Sequence, residues 1–561
     1  MQDGEKRENP GLLDQAVMAC KDGWRVLRHR GPGRIQFWFI ALCIGIAGGF
    51  VAVAFRAGIT WLQATLYGTD DIRLLHSFAE TLPWYWLLIL PIIGGLVVGQ
   101  ILHRFTPDAR VRSVAEVIEG AALHNGRVEM RAGLASAVAS LITLSSGGST
   151  GREGPVVHLA GVVSTWVSQR INADGITGRD LLGCAVAAAV SASFNAPIAG
   201  ALFALEVVLR HFAVHAFAPI VIASVAGTVV SRITLGDVTE FTLNQSNALA
   251  FYVELPAFLL LGLICGIVAV ALMRSVFWAD DMVGTVQSRL GIHRSLRPAA
   301  AGVLLGIIAI YFPHIIGVGY ETTTAALTNS LFLWEAIVFC AIKGVAVVIT
   351  ISGRMGGGIF SPSLMMGALT GLSFGLIATA IFPDVSGSET LYALAGMGAV
   401  AAAVLGAPIS TTLIVFELTG DWRAGIAVMV AVSISTAFAS KLVHRSFFLS
   451  QIERKGKHIA AGPQAYLLEM FRASTVMRPV GELDAAQIAL LKKARAQGHV
   501  VERRSTLENA LPLFDKSGWT VLPVVDPGDA SDAGILGALY QVDALKTYNK
   551  ALAAIAAEEH S

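Results

Sequence analysis

A glycine-rich stretch at residues 145–161, SSGGSTGREGPVVHLAG, sets an arginine and a glutamate between two long apolar segments. A carboxylate at membrane depth is costly unless it is paired or has a function, so Glu153 is a candidate functional residue. Pro155 suits the first turn of a helix, and glycines such as Gly151 and Gly154 let backbone amides approach a ligand closely. Amides at the start of a helix favour an anion. The stretch therefore predicts an anion site beside a carboxylate.

The same stretch also fits the nucleophile elbow of serine hydrolases, because residues 147–151 read Gly-x-Ser-x-Gly and His158 follows. That elbow needs a strand before its turn and an acid partner for the histidine, whereas both flanks here are apolar and of helical length. We therefore expect His158 to be a hydrogen-bonded packing residue and the protein not to be an enzyme. The sequence has no metalloprotease, Walker or dinucleotide-binding motif, and five scattered cysteines indicate packing rather than a metal site or disulfides.

The overall composition is that of a multi-pass integral membrane protein. Hydrophobic residues make up 54% and charged residues 14% of the chain, well below the charged fraction of about 25% in soluble domains. The formal net charge of +1 gives no indication of a nucleic-acid partner. Basic residues cluster at positions 21–34 and 441–457, on either side of the apolar runs. They predict that both termini are cytoplasmic, with residues 1–33 as an N-terminal segment that carries an amphipathic helix around Leu12 to Arg28.

Apolar runs follow one another along most of the chain, and the first two are about long enough to cross a bilayer. They lie near residues 35–65, 84–104, 181–209, 217–233, 257–276, 298–316, 332–351, 363–381, 391–405 and 409–442. The spacing of Gly302, Gly367 and Gly371 with their neighbours predicts close helix packing in lipid. Beyond residue 445 the composition becomes that of a soluble protein, and helix-like and strand-like segments alternate over residues 466 to about 550. The sequence thus predicts an all-α polytopic membrane protein followed by one small α/β module.

Two pairs of motifs recur in the two halves of the chain. GREGP at 151–155 is echoed by GIFSP at 358–362, and each is followed by a second break, NAPIAGALFALE at 195–206 and GAPISTTLIVFE at 406–417. In both second breaks the proline stands nine residues before the final glutamate, Glu206 or Glu417. We interpret each of these glutamates as an acceptor of hydrogen bonds from nearby backbone amides. Broken helices at matching places in two repeats indicate a binding site at the repeat interface.

These motifs resemble the hallmarks of the CLC family of chloride channels and proton-coupled chloride transporters. GREGP, GGIFSP, FNAPIAGALFALE and GAPISTTLIVFELTG occur in the family's order, and the resemblance covers about residues 35–455. It implies an anion-transport domain at 34–455 with two inverted repeats and re-entrant helices, which forms a homodimer with one pore per subunit in the cell membrane. The tail at 466–561 resembles a cytoplasmic CBS domain with a single recognisable repeat.

The resemblance also implies roles for individual residues. Glu153 would be the gating glutamate, whose carboxylate occupies the outer anion site and leaves when it is protonated or displaced. The amides of Ile359 and Phe360 would hold the central anion, which is chloride or another small anion. The amides from Arg152 to Gly154 would hold the outer anion.

The chain departs from the family pattern at two side-chain donors. The family's first motif, Gly-Ser-Gly-Ile-Pro-Glu, aligns with residues 111–116, so that Arg112 stands in place of the serine that contacts the central anion. The pore tyrosine aligns with Phe448, which has no hydroxyl. Arg112 is therefore a candidate charged substitute in the pore, against the alternative that it anchors the chain at the membrane surface. If the register slips by one residue, Ser113 supplies the hydroxyl instead.

A third departure concerns proton coupling. Coupled family members often carry a second glutamate immediately after the one that matches Glu206, and this position is Val207 here. We therefore expect glutamate-gated anion transport that is channel-like or weakly proton-coupled. A proton-coupled chloride antiporter is the alternative, and a non-conducting membrane sensor with a nucleotide-reading tail is a third class. No cofactor is expected, apart from an adenine nucleotide at the CBS-like tail.

Overall fold

The computed structural model describes residues 33–69, 71, 74–212, 214–236, 253–386, 388–419, 422–457, 459, 468, 471–503, 505–526 and 534–559. Among these residues, eight helices are long and apolar enough to cross a membrane, by length and composition. The predicted helical, multi-pass membrane part is confirmed. The amphipathic helix predicted around Leu12 to Arg28 lies outside the described residues.

The membrane part consists of two successive sets of helices. The first set comprises α1 (Arg34–Tyr67), α2 (Leu75–Glu80), α3 (Trp84–Phe105), α4 (Val114–Leu123), α5 (Met130–Ser145), α6 (Glu153–Arg170), α7 (Gly175–Phe194), α8 (Pro197–Phe203) and α9 (Val214–Leu235). The second set comprises α10 (Leu255–Leu290), α11 (Arg297–Tyr311), α12 (Tyr320–Leu327), α13 (Leu333–Ser352), α14 (Phe360–Ile381), α15 (Glu389–Leu405), α16 (Pro408–Thr419), α17 (Trp422–Leu442) and α18 (Phe447–Glu453). After α8 the chain continues as a π-helix over Ala204–Leu209.

The second break predicted in each half is a real interruption between two helices. Asn195 ends α7 in the left-handed conformation, with φ of 57°, which asparagine tolerates better than most residues. Gly406 ends α15 in the same way, with φ of 69°. Pro197 and Pro408 then begin α8 and α16, where the missing N–H of proline costs nothing. The two halves therefore stop and restart their helices at matching places.

Glycines bring neighbouring helices into backbone contact, as the small-residue spacing predicts. A Cβ atom added at Gly367 or Gly371 of α14 would lie 2.4 or 2.1 Å from a backbone oxygen of α15. A Cβ at Gly302 of α11 would lie 2.2 Å from the carbonyl oxygen of Pro91 in α3. No side chain fits at these distances, so glycine is required for the helices to approach this closely.

The tail forms one small α/β module. Its elements are α19 (Ala473–Val476), β1 (Arg478–Pro479), α20 (Ala485–Ala496), β2 (Val501–Glu502), α21 (Leu507–Ser517), β3 (Val521–Val525), β4 (Ile535–Tyr540) and α22 (Gln541–Glu559). The strands form one sheet in the order β1-β4-β3-β2, in which β3 pairs antiparallel with β4 and parallel with β2. Leu507 and Phe514 of α21 pack with Leu522 and Leu539 of the sheet. The module therefore has a small hydrophobic core of its own.

Candidate anion site

The two glycine-rich breaks, 200 residues apart in sequence, lie side by side in the structure. Gly151 and Gly358 form an isolated antiparallel bridge, in which each N–H donates to the other carbonyl at 2.7 and 2.8 Å. Arg152 is the N-cap residue of α6 and Ile359 that of α14, and both have right-handed helical dihedral angles. The helices α6 and α14 therefore start at one junction, where the two chain segments run in opposite directions. A two-fold relation between the halves produces this arrangement.

Gly151 leaves the space at this junction that the Glu153 carboxylate occupies. A Cβ atom at this position would lie 2.6 Å from Oε2 of Glu153 and 3.1 Å from the backbone nitrogen of Ser361. Gly357, which precedes the second break, has φ of 119°, a conformation that only glycine adopts easily. The glycines allow the two helix starts to touch, and they bring the Glu153 carboxylate against the junction.

Glu153 is buried at this junction, with 4% of its surface exposed. Its Oε1 accepts a hydrogen bond from the hydroxyl of Ser361, which belongs to the first turn of α14. A cavity of about 10 Å³, which we call the central cavity, lies beside it and is lined by Glu153, Gly154, Ile359, Phe360 and Phe448 among others. That volume holds about one water-sized particle. The central cavity thus brings together a carboxylate and two helix starts.

Aromatic rings form much of the wall of the central cavity. The ring of Phe360 meets that of Phe194 edge to face at a centroid distance of 4.8 Å, and Phe203 at 6.2 Å. Phe448, on α18, is 2% exposed and contributes a ring without a hydroxyl. Backbone amides at the two helix starts are therefore the main polar groups available to an anion here.

The guanidinium of Arg112 does not line the central cavity. Its Nη1 donates to both oxygens of Asp108 at 3.0 Å, and its Nε donates to Glu129 at 2.9 Å. Burial raises the pKa of Asp108, but the charge and hydrogen bonds of Arg112 outweigh this effect and hold the pKa below its usual value. These contacts neutralise Arg112 on the loop that precedes α4, so the structure contradicts its predicted role as a charged pore ligand and favours the anchoring alternative.

Ser113, the alternative donor if the register slips by one residue, lies close to the start of α6. It is the N-cap residue of α4, and a Cβ atom added at Gly154 would lie only 3.3 Å from its Oγ. Ser113 also lines a larger cavity of about 100 Å³ on the side from which α18 leads to the tail, the tail-side cavity. The hydroxyl therefore lies next to the start of α6, at the boundary between the two cavities.

The side chain of Arg152 lies away from the central cavity, although its backbone begins α6. Its Nη2 donates to the carbonyl of Ser193 at 3.1 Å, and the guanidinium lies 5.5 Å from the ring centre of Tyr320. Arg152 and Tyr320 line a third cavity of about 20 Å³, together with the rings of His76 and His314, whose centres are 4.2 Å apart. Any role of Arg152 in the central cavity is thus confined to its backbone.

The final glutamates of the two second breaks make reciprocal contacts. Glu206 accepts hydrogen bonds from the backbone N–H groups of Ile409 and Ser410 at 2.9 and 2.8 Å, at the start of α16. Glu417 accepts from those of Ile198 and Ala199 at 2.9 and 2.8 Å, at the start of α8. Both glutamates are therefore backbone acceptors, as expected, but each caps a helix of the opposite half of the chain.

Val207 and His158 are buried packing residues. Val207 is 5% exposed and lies in the π-helix beside Glu206. The Nδ1 atom of His158 lies 3.3 Å from the carbonyl oxygen of Ser113. Residues 147–151 lie between the helices α5 and α6 rather than after a strand, so the strand that a hydrolase elbow needs is not present there.

Arg354 is a charged residue near the site that the sequence analysis missed. It lies between α13 and α14 and lines the tail-side cavity with Ser113 and Gly357. Arg354 stands three residues before Gly357 in the sequence. A residue so close to the glycine-rich break must lie near the junction, and this proximity could have identified it. Arg354 therefore lines a cavity beside the junction that Arg112 does not line.

Comparison with known proteins matches this chain to one family of membrane proteins. The family model described as voltage gated chloride channel matches residues 94–440, more than half of the chain. A ClcB-like protein of Ralstonia nicotianae is 29% identical over 397 residues, which cover 70% of this chain and 91% of that protein.

Solved structures with the same fold extend this result. The structure of a slow cyanobacterial Cl⁻/H⁺ antiporter matches with a TM-score of 0.66 at 20% identity, over 76% of this chain and 98% of that chain. A eukaryotic CLC transporter matches with a TM-score of 0.65 at 17% identity, over 91% of this chain and 98% of that chain. At these identities the likeness concerns the fold.

Proposed function

This chain belongs to the voltage gated chloride channel family, and we propose that it carries chloride or another small anion across a membrane through a pore gated by Glu153. One observation carries this proposal: two bonded helix starts meet at a cavity that a buried carboxylate adjoins. Helix N-termini stabilise anions through their amides and dipoles. A carboxylate in such a place stands where a transported anion would bind.

We propose the following sequence of events at the junction. In the closed state the Glu153 carboxylate, held by the Ser361 hydroxyl, occupies the anion position. Protonation of Glu153 or competition from an incoming anion releases the carboxylate, and the amides of Ile359 and Phe360 then hold the anion. The hydroxyl of Ser113 adds one donor from the tail side. With Phe448 in place of a hydroxyl-bearing ring, the anion is held less tightly and leaves faster.

Whether protons move with the anion is the finer part of the proposal. Channel-like or weakly coupled transport is supported by Val207, which cannot carry a proton, and by Glu206, whose oxygens already bond the start of α16. Strict chloride–proton exchange is the second candidate, because one structure of the same fold is that of a Cl⁻/H⁺ antiporter. The sensor without conduction is a third candidate, and an absence of flux would favour it.

The remaining assignments belong to the same proposal. They are a homodimer, a transport domain at 34–455, cytoplasmic termini including residues 1–33, and location in the cell membrane. The tail at 466–561 is proposed as a CBS-like domain that binds an adenine nucleotide. Its four-stranded sheet with flanking helices supports this reading, and the match to the eukaryotic CLC transporter is long enough to include the tail.

Flux from reconstituted liposomes tests the proposed function. Liposomes loaded with chloride, bromide, nitrate or fluoride are diluted into an impermeant anion, and anion efflux and external pH are recorded together. Anion efflux without proton movement supports the channel-like form, whereas a fixed ratio of protons to chloride supports the exchanger. An absence of flux for all four anions would overturn the transport proposal.

A further inference from the structure

The tail-side cavity has a strongly charged wall. Its charged residues come from the loop before α4, from α4 and α10, from the connection before α14, and from the end of α18: Arg110, Glu116, Asp280, Arg354, Arg454 and Lys455. Four are basic and two are acidic, so the wall carries a surplus of two positive charges. Its volume of about 100 Å³ is roughly ten times that of the central cavity. It can therefore hold a polyatomic anion.

Both carboxylates in the wall are already paired. Asp280 accepts from Arg110 at 3.1 Å and from Arg297 at 2.6 Å, and Arg297 lies behind the wall with 3% of its surface exposed. Glu116 is paired with Lys455. Arg454 is paired with Asp281, which lies outside the wall. Because Asp280 alone serves two arginines and no acid of the described segments is paired with Arg354, the acids do not neutralise every cation at the cavity.

Arg354 is the cation whose charge is least compensated. Its Nη1 donates to the backbone carbonyl of Asp108 at 3.3 Å, and no carboxylate lies within ion-pair distance of it in the described part of the chain. Its Nε is buried, and no acceptor for it occurs among the described residues. A guanidinium that is partly buried with an unused donor is expected to take up an acceptor from outside the chain.

We propose that the tail-side cavity binds a divalent oxyanion of the phosphate type, held by Arg354 together with Arg110 and Arg454. The flat fork of a guanidinium matches two oxygens of a phosphate group better than it matches a spherical halide. The surplus of two positive charges matches a doubly charged ligand. Because Ser113 and Gly357 line the same cavity, a bound oxyanion covers the mouth of the anion path on this side.

Binding and inhibition are separate consequences of this site. Binding of the oxyanion follows from the cavity alone, whereas inhibition of flux rests on the transport function proposed above. A free phosphate and the phosphate of a lipid headgroup share the required chemistry. We assign the site to the free ion, because six of the fourteen lining residues are charged and only a few apolar side chains, such as Val276 and Phe277 of α10, are available to the acyl chains of a lipid.

Titration of the full-length protein in detergent with inorganic phosphate tests the binding. Wild type is expected to bind phosphate, and Arg354→Gln is expected to bind about ten- to a hundredfold more weakly, since the substitution removes a charged hydrogen-bond donor. Arg289→Gln, at the exposed end of α10, is the matched control and should bind as wild type does. Equal binding by wild type and Arg354→Gln, or no binding by wild type at millimolar phosphate, would overturn the proposal.

Chloride flux from liposomes of phosphatidylcholine alone tests the inhibition. With phosphate on both sides, flux through wild type should fall about tenfold and flux through Arg354→Gln should stay near its phosphate-free value. Inhibition by added phosphatidylglycerol, with no effect of free phosphate, would assign the site to a lipid headgroup and overturn the free-ion source. Intact phosphate binding without chloride flux in phosphate-free liposomes would contradict the proposed function and leave the oxyanion site standing.

Discussion

Two of the contacts between the two halves of the chain differ in the symmetry of their side chains. Where Glu206 and Glu417 cap each other's helices, the two halves use the same residue for the same bond at nearly the same distances. Where the glycine-rich breaks touch, the backbone contacts are just as symmetric. The side chains there are not, since Glu153 of one half corresponds to Phe360 of the other.

This difference distinguishes contacts that hold the two halves together from the contact that is proposed to control an anion. A contact that only holds the halves together works best when both halves contribute equally, because every helix start then has its acceptor. A gate needs one titratable group and an apolar wall around it, since a second carboxylate at the same junction would add like-charge repulsion. The backbone of the junction is symmetric and its side chains are not. This asymmetry supports the proposal that Glu153 is the gate.

The capping pair should have the largest effect on stability. Glu206→Ala and Glu417→Ala each leave two helix-start amides without their charged acceptor, which should cost about 2–3 kcal/mol in each case. The loss at Glu206 should be slightly larger, because that carboxylate also accepts from the hydroxyl of Ser410 at 2.8 Å. Thermal unfolding in detergent measures both. Losses that differ by several kcal/mol would break the symmetric interpretation.

Replacement of the proposed gate, Glu153, comes next in size. Glu153→Gln keeps the shape of the side chain but removes its charge and its titration, so anion flux should lose its dependence on pH. The expected change is about tenfold in the ratio of flux between acid and neutral pH. Glu80→Gln, at the exposed end of α2, is the control. A pH profile of Glu153→Gln that matches wild type would refute the gate assignment.

The hydroxyl that holds the gate should have a smaller effect. Ser361→Ala removes the donor to Oε1 of Glu153, so the carboxylate should leave the anion position more easily. Flux at neutral pH is then expected to rise about two- to tenfold, the equivalent of one hydrogen bond. Stopped-flow efflux measures this change. Ser363→Ala is the control, because the Ser363 hydroxyl bonds to the carbonyl of Phe360 on its own helix. A fall in flux would show that Ser361 serves the anion and not the gate.

Two neighbouring residues on the loop before α4 distinguish anchoring from pore function. Ser113→Ala should weaken chloride binding about two- to tenfold, since it removes one hydroxyl donor beside α6. Arg112→Ser should leave anion selectivity unchanged and should lower the free energy of unfolding by about 1 kcal/mol, because its carboxylate partners are partly exposed. Isotherms of chloride binding and reversal potentials measure these effects. Altered selectivity in Arg112→Ser alone would restore that residue to the pore.

The smallest effect should come from an added hydroxyl in the central cavity. Phe448→Tyr gives the ring a donor that the family pattern expects, and it should strengthen chloride binding about two- to fivefold. Tighter binding should also slow the exit of the anion. Chloride isotherms and unitary flux rates measure both changes. Unchanged affinity would mean that the Phe448 ring does not reach the anion.

Much of the helical framework could be read from the sequence because its signals are local. Asn-Ala-Pro at 195–197 and Gly-Ala-Pro at 406–408 end one helix and start the next, because asparagine and glycine tolerate the left-handed conformation and proline suits a first helical turn. The glycine-rich breaks were recognisable for the same reason, and their pairing followed from the repeat. The apolar runs also matched the observed helices, although α10 continues well beyond the predicted end at residue 276.

Contacts between distant segments could not be read in this way. Arg112 donates a hydrogen bond to Glu129, which lies beyond α4 in the sequence. A pattern of residue types does not indicate which carboxylate a guanidinium will pair with. The acceptor role expected for Glu206 was right, but its partners lie more than 200 residues away. The π-helix after α8 was missed because it adds one residue to a turn without a change in apolar character.

The reciprocal caps have a consequence for the synthesis of the chain. The amides of Ile198 leave the ribosome 219 residues before Glu417, their acceptor, has been made. At roughly 5–20 residues per second, the start of α8 waits some tens of seconds for its cap. A nascent first half therefore reaches the membrane with an unfinished helix, and only the arrival of the second half completes it.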